Sequence, residues 1–281
     1  MTFWEKAQNV DRRIIYGLMI IALAFPMIRP MGLAISINKE TKMAYDAIDK
    51  LAPGSIVWLS MDFDAAGMPD VMPAVLSMMR QGFAKNLRFV AGGMWVMAGN
   101  LAETAWIRIA PEFPAKKYGV DFVNVGYKPG GVVLLEKIIT DAEQAFLGTD
   151  ARGTKFSQLP LMAEFKSFKN AALIVTFVVG TPGAKEYIKH VTDVLRLPLV
   201  VSCQMVNVPE IMPNVQAGQI VGLISGMRGA AEYEILVGKP GQAVAGMDSQ
   251  SSAHVLIMLL IIAGNLGYIL TRKKPSAGQA G

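Results

Sequence analysis

Residues 171–179 read AALIVTFVV, a run that is apolar except for Thr176 and rich in β-branched side chains. The run is followed by Gly180 and Pro182, which favour a turn, and then by an amphipathic stretch over 184–195. A strand buried on both faces of a parallel sheet has this pattern. Four further apolar runs are also followed by amphipathic stretches, and they lie at 56–61, 87–91, 120–125 and 198–203.

The alternation of apolar runs and amphipathic stretches predicts one α/β domain over residues 37–250. Right-handed crossovers would join the strands into a mostly parallel sheet, giving a Rossmann-like or flavodoxin-like three-layer sandwich. No linker rich in proline, glycine or serine divides the region, so a second domain is not expected. The expected helices lie over 38–51, 69–85, 99–109, within 131–146, over 184–195 and through most of 213–236.

A membrane-spanning helix is predicted near the amino terminus. Residues 14–28 read IIYGLMIIALAFPMI and have arginines on both sides. The run is short for the roughly 20 residues that cross a bilayer, but snorkelling arginines and the apolar residues that follow extend the predicted span to 14–35. Residues 1–13 would then form a cytoplasmic amino-terminal segment. A cleaved signal peptide is the alternative, although Pro26 and Arg29 stand where cleavage would be expected.

A second spanning helix is predicted over residues 254–271. Residues 255–270 read VLIMLLIIAGNLGYIL, with Tyr268 near the end and the basic run RKK shortly after it, a flank typical of a membrane interface. Residues 272–281 would be a basic, flexible tail. Asn265 lies among glycines, so we expect it to contact the first helix or a neighbouring subunit; hydration by headgroups is the alternative.

Two spans would place both termini on one side of the membrane. Lysines and arginines near the bilayer are more numerous on the terminal side than beside the domain. The positive-inside rule therefore favours cytoplasmic termini and an extracytoplasmic domain. Much of the net charge of +5 lies in the terminal segments, so the central domain is nearly neutral and has no electrostatic footprint for nucleic acid.

Few residues in the sequence are suited to metal binding or nucleophilic catalysis. Cys203 is the only cysteine, and His190 and His254 are the only histidines. A structural zinc site takes about four such ligands, so no metal is expected. No G-x-S-x-G elbow occurs, so neither catalytic residues nor a cofactor are predicted.

Ligands of open parallel sheets bind beyond the carboxyl ends of the strands, so residues that follow the predicted strands are candidates for ligand contacts. These candidates are Asp62, Asp64, Trp95, Tyr127, Lys128, Gly130, Gly131 and Thr181. Asp62 and Asp64 form a D-x-D sequence that resembles the first motif of the aspartate-nucleophile phosphatases, a resemblance that implies Mg²⁺. No acidic pair after a later strand completes the metal shell. The favoured interpretation is that the two aspartates form a turn and cap a helix.

Residues 128–131 read KPGG and open a predicted helix. Backbone N–H groups and Lys128 could hold an anion there, and the loop around Thr181 is similar but weaker. The spacing is not that of a Walker motif. Tight turns between strand and helix need glycine in any case, and this explanation is favoured over an anion site.

Three glycines recur every fourth residue at Gly218, Gly222 and Gly226. On one helix they would form a flat stripe that admits close approach of another element. Each glycine inside a helix costs about 1 kcal/mol relative to alanine, so three together indicate a packing role. The sheet of the same domain is the favoured partner, and another subunit is the alternative.

Three functions fit this layout. The first is a non-enzymatic scaffold or docking component of a membrane complex, with the lipid bilayer and either other membrane proteins or a second copy as partners. The second is a membrane-tethered domain that binds or senses a small anion or metabolite in the strand-end crevice. The third is a Mg²⁺-dependent phosphoryl-transfer enzyme built on Asp62 and Asp64. The absence of a complete catalytic set in the sequence favours the first.

Overall fold

The fold is built on one six-stranded sheet in which every strand runs parallel to its neighbours. The computed structural model describes residues 11–271. The strands are β1 (Ile56–Asp62), β2 (Arg88–Gly93), β3 (Phe122–Tyr127), β4 (Leu173–Val178), β5 (Leu199–Cys203) and β6 (Gly222–Ser225). Their order across the sheet is β3-β2-β1-β4-β5-β6. The prediction of an α/β domain with a parallel sheet is confirmed.

Helices connect the strands and flank the sheet-bearing segment. The helices of the described residues are α1 (Arg12–Ile28), α2 (Lys39–Asp49), α3 (Met68–Ala84), α4 (Ala98–Ile109), α5 (Val132–Thr140), α6 (Ala142–Ala145), α7 (Pro160–Glu164), α8 (Ala184–Tyr187), α9 (Asp193–Leu195), α10 (Val208–Gln216), α11 (Gly226–Leu236) and α12 (Gln242–Thr271). A π-helical turn over Ile188–Thr192 joins α8 to α9, so the helix predicted over 184–195 is not one regular α-helix. Contacts divide the described chain into two units, one over Ala34–Val244 and one made of residues 11–33 and 245–271.

The central strand β1 sets the register of the sheet. Trp58 is paired with Val90 of β2 and with Ile174 of β4. All seven residues of β1 are buried. Because helices cover both faces of the strand, its first four residues, Ile56 to Leu59, are all apolar rather than alternating between apolar and polar.

One face of the sheet carries an aromatic core centred on Trp58. Its indole stacks on Phe165 with the ring centroids 5.9 Å apart, and Phe168 meets it edge-on at 5.0 Å. Leu135 of α5 and Tyr187 of α8 are buried in the same core. Helices of the segments after β3 and β4 therefore cover this face.

The opposite face is covered by α2 and α3, which approach the sheet at glycines. A Cβ atom on Gly82 of α3 would overlap the ring of Phe89, and a Cβ atom on Gly222 of β6 would overlap the backbone of Ala44 in α2. Since Phe89 and Val90 are adjacent in β2, their side chains point to opposite faces. The glycines thus set how closely these helices pack.

The prediction of one helix through most of 213–236 is wrong. Gly218 lies in a turn with φ of +77°, Gly222 lies in β6, and Gly226 begins α11 with φ of +56°. The glycine stripe therefore does not exist on one helix. Each glycine has its own reason: two adopt the left-handed region that disfavours other residues, and Gly222 makes room for α2.

Two buried carboxylates on α11 hold the ends of the sheet-bearing unit. Glu232 accepts a hydrogen bond of 3.0 Å from the backbone N–H of Asn38, where the chain enters the unit. Glu234 accepts three hydrogen bonds, of 2.8, 3.1 and 2.9 Å, from the backbone N–H groups of Gly241, Ala243 and Val244, where the chain leaves the unit. Residues two apart on a helix point about 200° apart, so one helix binds both segments on different sides.

In the other unit, α12 is the one helix of the described residues that is long and apolar enough to cross a membrane. Its most apolar stretch of 18 residues has a mean hydropathy of 2.1. The end predicted for the first span at residue 35 is wrong, because α1 ends at Ile28 and Arg29 is extended. Pro30 accounts for this end, since a residue before proline avoids the helical region. The predicted segment 1–13 lies outside the described residues apart from 11–13, and the predicted tail 272–281 lies wholly outside them.

Asp248 of α12 binds the chain that follows α1. Its buried carboxylate accepts hydrogen bonds from three successive backbone N–H groups, those of Met31, Gly32 and Leu33, at 2.7, 2.8 and 3.1 Å. The neighbouring Ser249 hydroxyl donates to the carbonyl oxygen of Leu23 at 2.9 Å. These bonds hold the end of α1 beside the beginning of α12.

Partly or fully buried positions recur every three or four residues on both helices of this unit. On α1 they include Ile15, Met19, Ala22 and Pro26, and on α12 they include Ala253, Leu256, Leu260, Ala263 and Gly267. This spacing is typical of helices that pack side by side along one stripe. Asn265 lies outside the stripe and is exposed, so in this structure its side chain does not face the stripe.

Candidate functional site at the carboxyl ends of β1 and β4

The strand order reverses direction between β1 and β4. From β1 the chain proceeds to β2 on one side, whereas β4 and the later strands lie on the other side. Connections from neighbouring strands therefore diverge here and leave a crevice beyond the carboxyl ends, the usual ligand position in open α/β sheets. Asp62 is the last residue of β1 and lies at the base of this crevice.

Asp62 is fully buried and holds the loop after β2. One carboxylate oxygen accepts hydrogen bonds from the backbone N–H groups of Met94 and Trp95 at 2.5 and 3.2 Å, and the other accepts from the hydroxyl of Ser60. Burial raises the pKa of Asp62 from 3.8 to about 7. The hydrogen bonds lower the pKa of Asp62 and the nearby carboxylate of Glu186 raises it, but both effects are smaller than that of burial.

Trp95 closes the crevice from above. Its indole N–H donates to the carbonyl oxygen of Pro182 at 2.8 Å, which joins the loop after β2 to the loop after β4. The same ring lies 3.3 Å from where a Cβ atom on Gly180 would stand, so this glycine makes room for the indole. The crevice predicted to receive a ligand is thus largely filled by the protein's own side chain.

A polar cluster lies on the Trp58 face below the crevice. The indole N–H of Trp58 donates to the hydroxyl of Tyr187 at 3.1 Å, and burial together with the charge of Asp62 raises the pKa of that phenol. Thr176 is paired with Ser60 in the sheet, so their side chains share this face. Within residues 11–271 the hydroxyl of Thr176 has no hydrogen-bond partner.

Asp64 does not converge with Asp62. Its carboxylate accepts hydrogen bonds from the N–H groups of Ala66 and Gly67 at 3.0 and 3.1 Å, within its own turn. This is the turn-forming role that the sequence favoured for Asp64. Among the described residues no group of three His, Cys, Asp or Glu side chains is placed to hold a metal ion.

The other predicted contact residues lie at two separate places. Tyr127, Lys128, Gly130 and Gly131 follow the edge strand β3, which β2 separates from β1. In the part of the chain described, no side chain caps the start of α5 after Gly131. Thr181 is exposed beside the crevice and precedes Pro182 in a cis peptide. The structure therefore brings Asp62, Trp95 and Thr181 together and leaves the KPGG segment apart.

A cavity of about 50 Å³ lies at the carboxyl ends of β4 and β5. Its lining includes Thr181, Glu186, Asn207 and Glu210. Among the described atoms the side-chain oxygen of Asn207 is buried without a hydrogen-bond partner. Larger openings lie at the opposite, amino ends of the strands, such as a groove of about 570 Å³ lined by Arg196 and Gln219.

Sequence reasoning missed Ser60, Tyr187, Glu186 and Asn207. Ser60 could have been found, because it precedes Asp62 by two residues on a strand and must share its face. The others belong to segments whose position beside β1 depends on the packing of the crossovers, which no local pattern encodes.

Comparison of the chain with protein-family models, with curated proteins and with solved structures finds no match.

Proposed function

We propose that this chain is a non-enzymatic docking component of a membrane protein complex, in which α12 anchors a Rossmann-like α/β domain to the bilayer. The observation that carries the proposal is the surface of α12. Only 11% of its most apolar 18-residue stretch is buried, although the mean hydropathy of that stretch is 2.1. A helix of this character needs a lipid environment, because water would face most of its apolar side chains.

The strand order supports the Rossmann-like part of the proposal. The order 3-2-1-4-5-6 is that of doubly wound folds, and helices cover both faces of the sheet. The core of such a three-layer sandwich is closed by helices on both faces. The sandwich presents its loops and outer helices to other proteins while its core remains unchanged.

The filled crevice favours docking over ligand binding. Pockets for small molecules usually have volumes of about 300–1,000 Å³ and converging polar groups. At the switch point Trp95 occupies this space, and the carboxylate of Asp62 is already bound to backbone N–H groups. The neighbouring cavity at the carboxyl ends of β4 and β5 has a volume of only about 50 Å³.

The bonds of Asp248 support a second membrane pass by α1. A helix of 17 residues is about 25 Å long, close to the thickness of the hydrocarbon core. Because Asp248 and Ser249 hold the end of α1 beside α12, the two helices would cross the bilayer as a hairpin. Both termini would then be cytoplasmic and the domain extracytoplasmic, as the basic flanks favour.

Alkaline extraction of membranes, followed by native sizing in detergent, tests the anchor and the complex. We expect the chain to stay in the membrane pellet and to elute larger than one copy in its micelle. Release by alkali would contradict the anchor. Elution as a monomer, together with failure of amine cross-linking in intact membranes, would contradict the docking role.

Orientation is tested separately with single cysteines in a Cys203→Ser background. Lys155→Cys reports on the domain and Ser276→Cys on the tail. In intact cells an impermeant thiol reagent should label the first and not the second. The reverse pattern would contradict the proposed orientation. A third variant, Thr2→Cys, counts the passes: with two passes it should label only after lysis, whereas labelling in intact cells together with Lys155→Cys would identify a single pass.

A membrane-tethered sensing domain is a second candidate, favoured by the unpartnered oxygen of Asn207 beside the small cavity. A space of about 50 Å³ admits an ion or a few atoms rather than a metabolite. Inorganic phosphate, chloride, Mg²⁺ or Ca²⁺ would then raise the melting temperature, and Asn207→Ala would remove the effect. An unchanged melting temperature with all four would exclude this candidate. No feature of residues 11–271 favours the phosphoryl-transfer alternative.

A further inference from the structure

Asn265 lies on the outward face of α12. It is two residues from Ala263 and from Gly267, both in the partly buried stripe, and therefore points about 200° away from them. Met258, Ile261, Ile262 and Ile269 surround it on the same face, and each is more than half exposed. Within the described residues the side chain of Asn265 has no hydrogen-bond partner, and the neighbouring Gly264 has open space where a Cβ atom would stand.

The depth of Asn265 makes this exposure costly in a bilayer. The basic run at 272–274 begins seven residues later, about 10 Å along the helix. Apolar side chains occupy the same face on both sides of the amide. An amide in hydrocarbon without a partner is unfavourable, and such residues in membrane helices usually bond to another helix.

We infer that this face of α12 binds the same face of a second copy of the chain, with Asn265 at the contact. An amide has both a donor and an acceptor, so two Asn265 side chains related by a two-fold axis satisfy each other. The open space at Gly264 lets the two backbones approach. The helix α1 is bonded to α12 at Ser249, which points about 160° away from Asn265, so the face that carries Asn265 is turned away from that contact. This inference rests on the proposed membrane span of α12.

Cysteine scanning in native membranes tests the contact. In the Cys203→Ser full-length chain, Met258→Cys, Ile262→Cys and Asn265→Cys should form disulfide-linked dimers on mild oxidation. The matched control is Ala263→Cys, in the partly buried stripe, which should remain monomeric. Equal cross-linking at positions 263 and 265 would overturn the inference.

The contribution of the amide is tested with Asn265→Leu in lipid vesicles by energy transfer between labelled chains. The association constant should fall about three- to tenfold, since one interhelical hydrogen bond in a bilayer averages ~0.6 kcal/mol and the symmetric pair has two. Leu270→Ala, which is exposed and points about 140° away from Asn265, serves as the control and should leave the constant unchanged. An unchanged constant for Asn265→Leu would overturn the inference.

Alkaline extraction separates this failure from failure of the anchor. If the chain stays in the membrane but does not associate through Asn265, only the contact is wrong. If Asn265→Cys instead reacts readily with an impermeant thiol reagent, headgroup hydration is the correct explanation. Release of the chain from the membrane would remove both proposals.

Discussion

Replacing Asp62 with asparagine should remove most of one pH-dependent contribution to stability. Asparagine has nearly the same shape, and its carbonyl oxygen can still accept from the N–H groups of Met94 and Trp95. It cannot take up a proton. The substitution therefore isolates the titration of Asp62 from its packing.

The size of the effect follows from the pKa of Asp62, which burial raises from 3.8 to about 7. Because the folded protein binds this proton more tightly than the unfolded chain, Asp62 favours folding below pH 3.8, and the contribution is lost as the pH rises through about 7. The whole difference is about 4 kcal/mol, at about 1.4 kcal/mol per pH unit. Between about pH 5 and pH 8 the Asp62 contribution falls by roughly 2–3 kcal/mol.

Urea unfolding of the full-length chain in detergent, followed by tryptophan fluorescence, measures this difference. The free energy of unfolding of the parent should fall by roughly 2–3 kcal/mol more than that of Asp62→Asn between about pH 5 and pH 8. Asp64→Asn is the matched control, because that carboxylate lies in its own turn, and it should follow the parent. Equal pH dependence of the parent and Asp62→Asn would refute the assigned burial of this charge.

Gly222→Ala should lower the free energy of unfolding by about 2 kcal/mol or more in urea melts, because the new methyl group overlaps the backbone of Ala44. The control is Gly17→Ala, where a methyl group would stand in open space, and it should leave the free energy of unfolding unchanged or raise it. Asp248→Ala leaves three backbone N–H groups without their acceptor, so limited proteolysis should cut the segment after α1 several times faster. Trp95→Phe loses the indole N–H bond, and hydrogen exchange in the loop after β4 should rise severalfold while the core strands are unchanged.

The sheet could be predicted because its strands carry their signal locally. Buried strands such as β4 are apolar except for single residues such as Thr176, and the residues that follow them are turn formers. β6 was missed because it is only four residues long and its Gly222 falls in step with Gly218 and Gly226 at a spacing of four. That spacing imitates one face of a helix. Three glycines with unrelated causes were therefore attributed to a single cause.

The candidate site was only partly accessible to sequence reasoning. A carboxylate after β1 is visible in the sequence, but its burial is not, since it depends on Trp95 reaching the carbonyl group of Pro182, 87 residues away. The prediction that Asp62 contacts a ligand treated a strand end as open. The indole of a neighbouring loop occupies that space instead, and this arrangement exists only once β1, β2 and β4 are assembled.

The two carboxylates of α11 define a path for mechanical load. Tension at the start of the sheet-bearing unit would act on Asn38 and, through its hydrogen bond, on Glu232. Tension at the end of the unit would act on Gly241–Val244 and, through their hydrogen bonds, on Glu234. Both forces meet on one helix, two residues apart, before any strand is stretched. The sheet is thereby shielded from force applied at the two ends of the unit, and α11 is the element expected to unfold first.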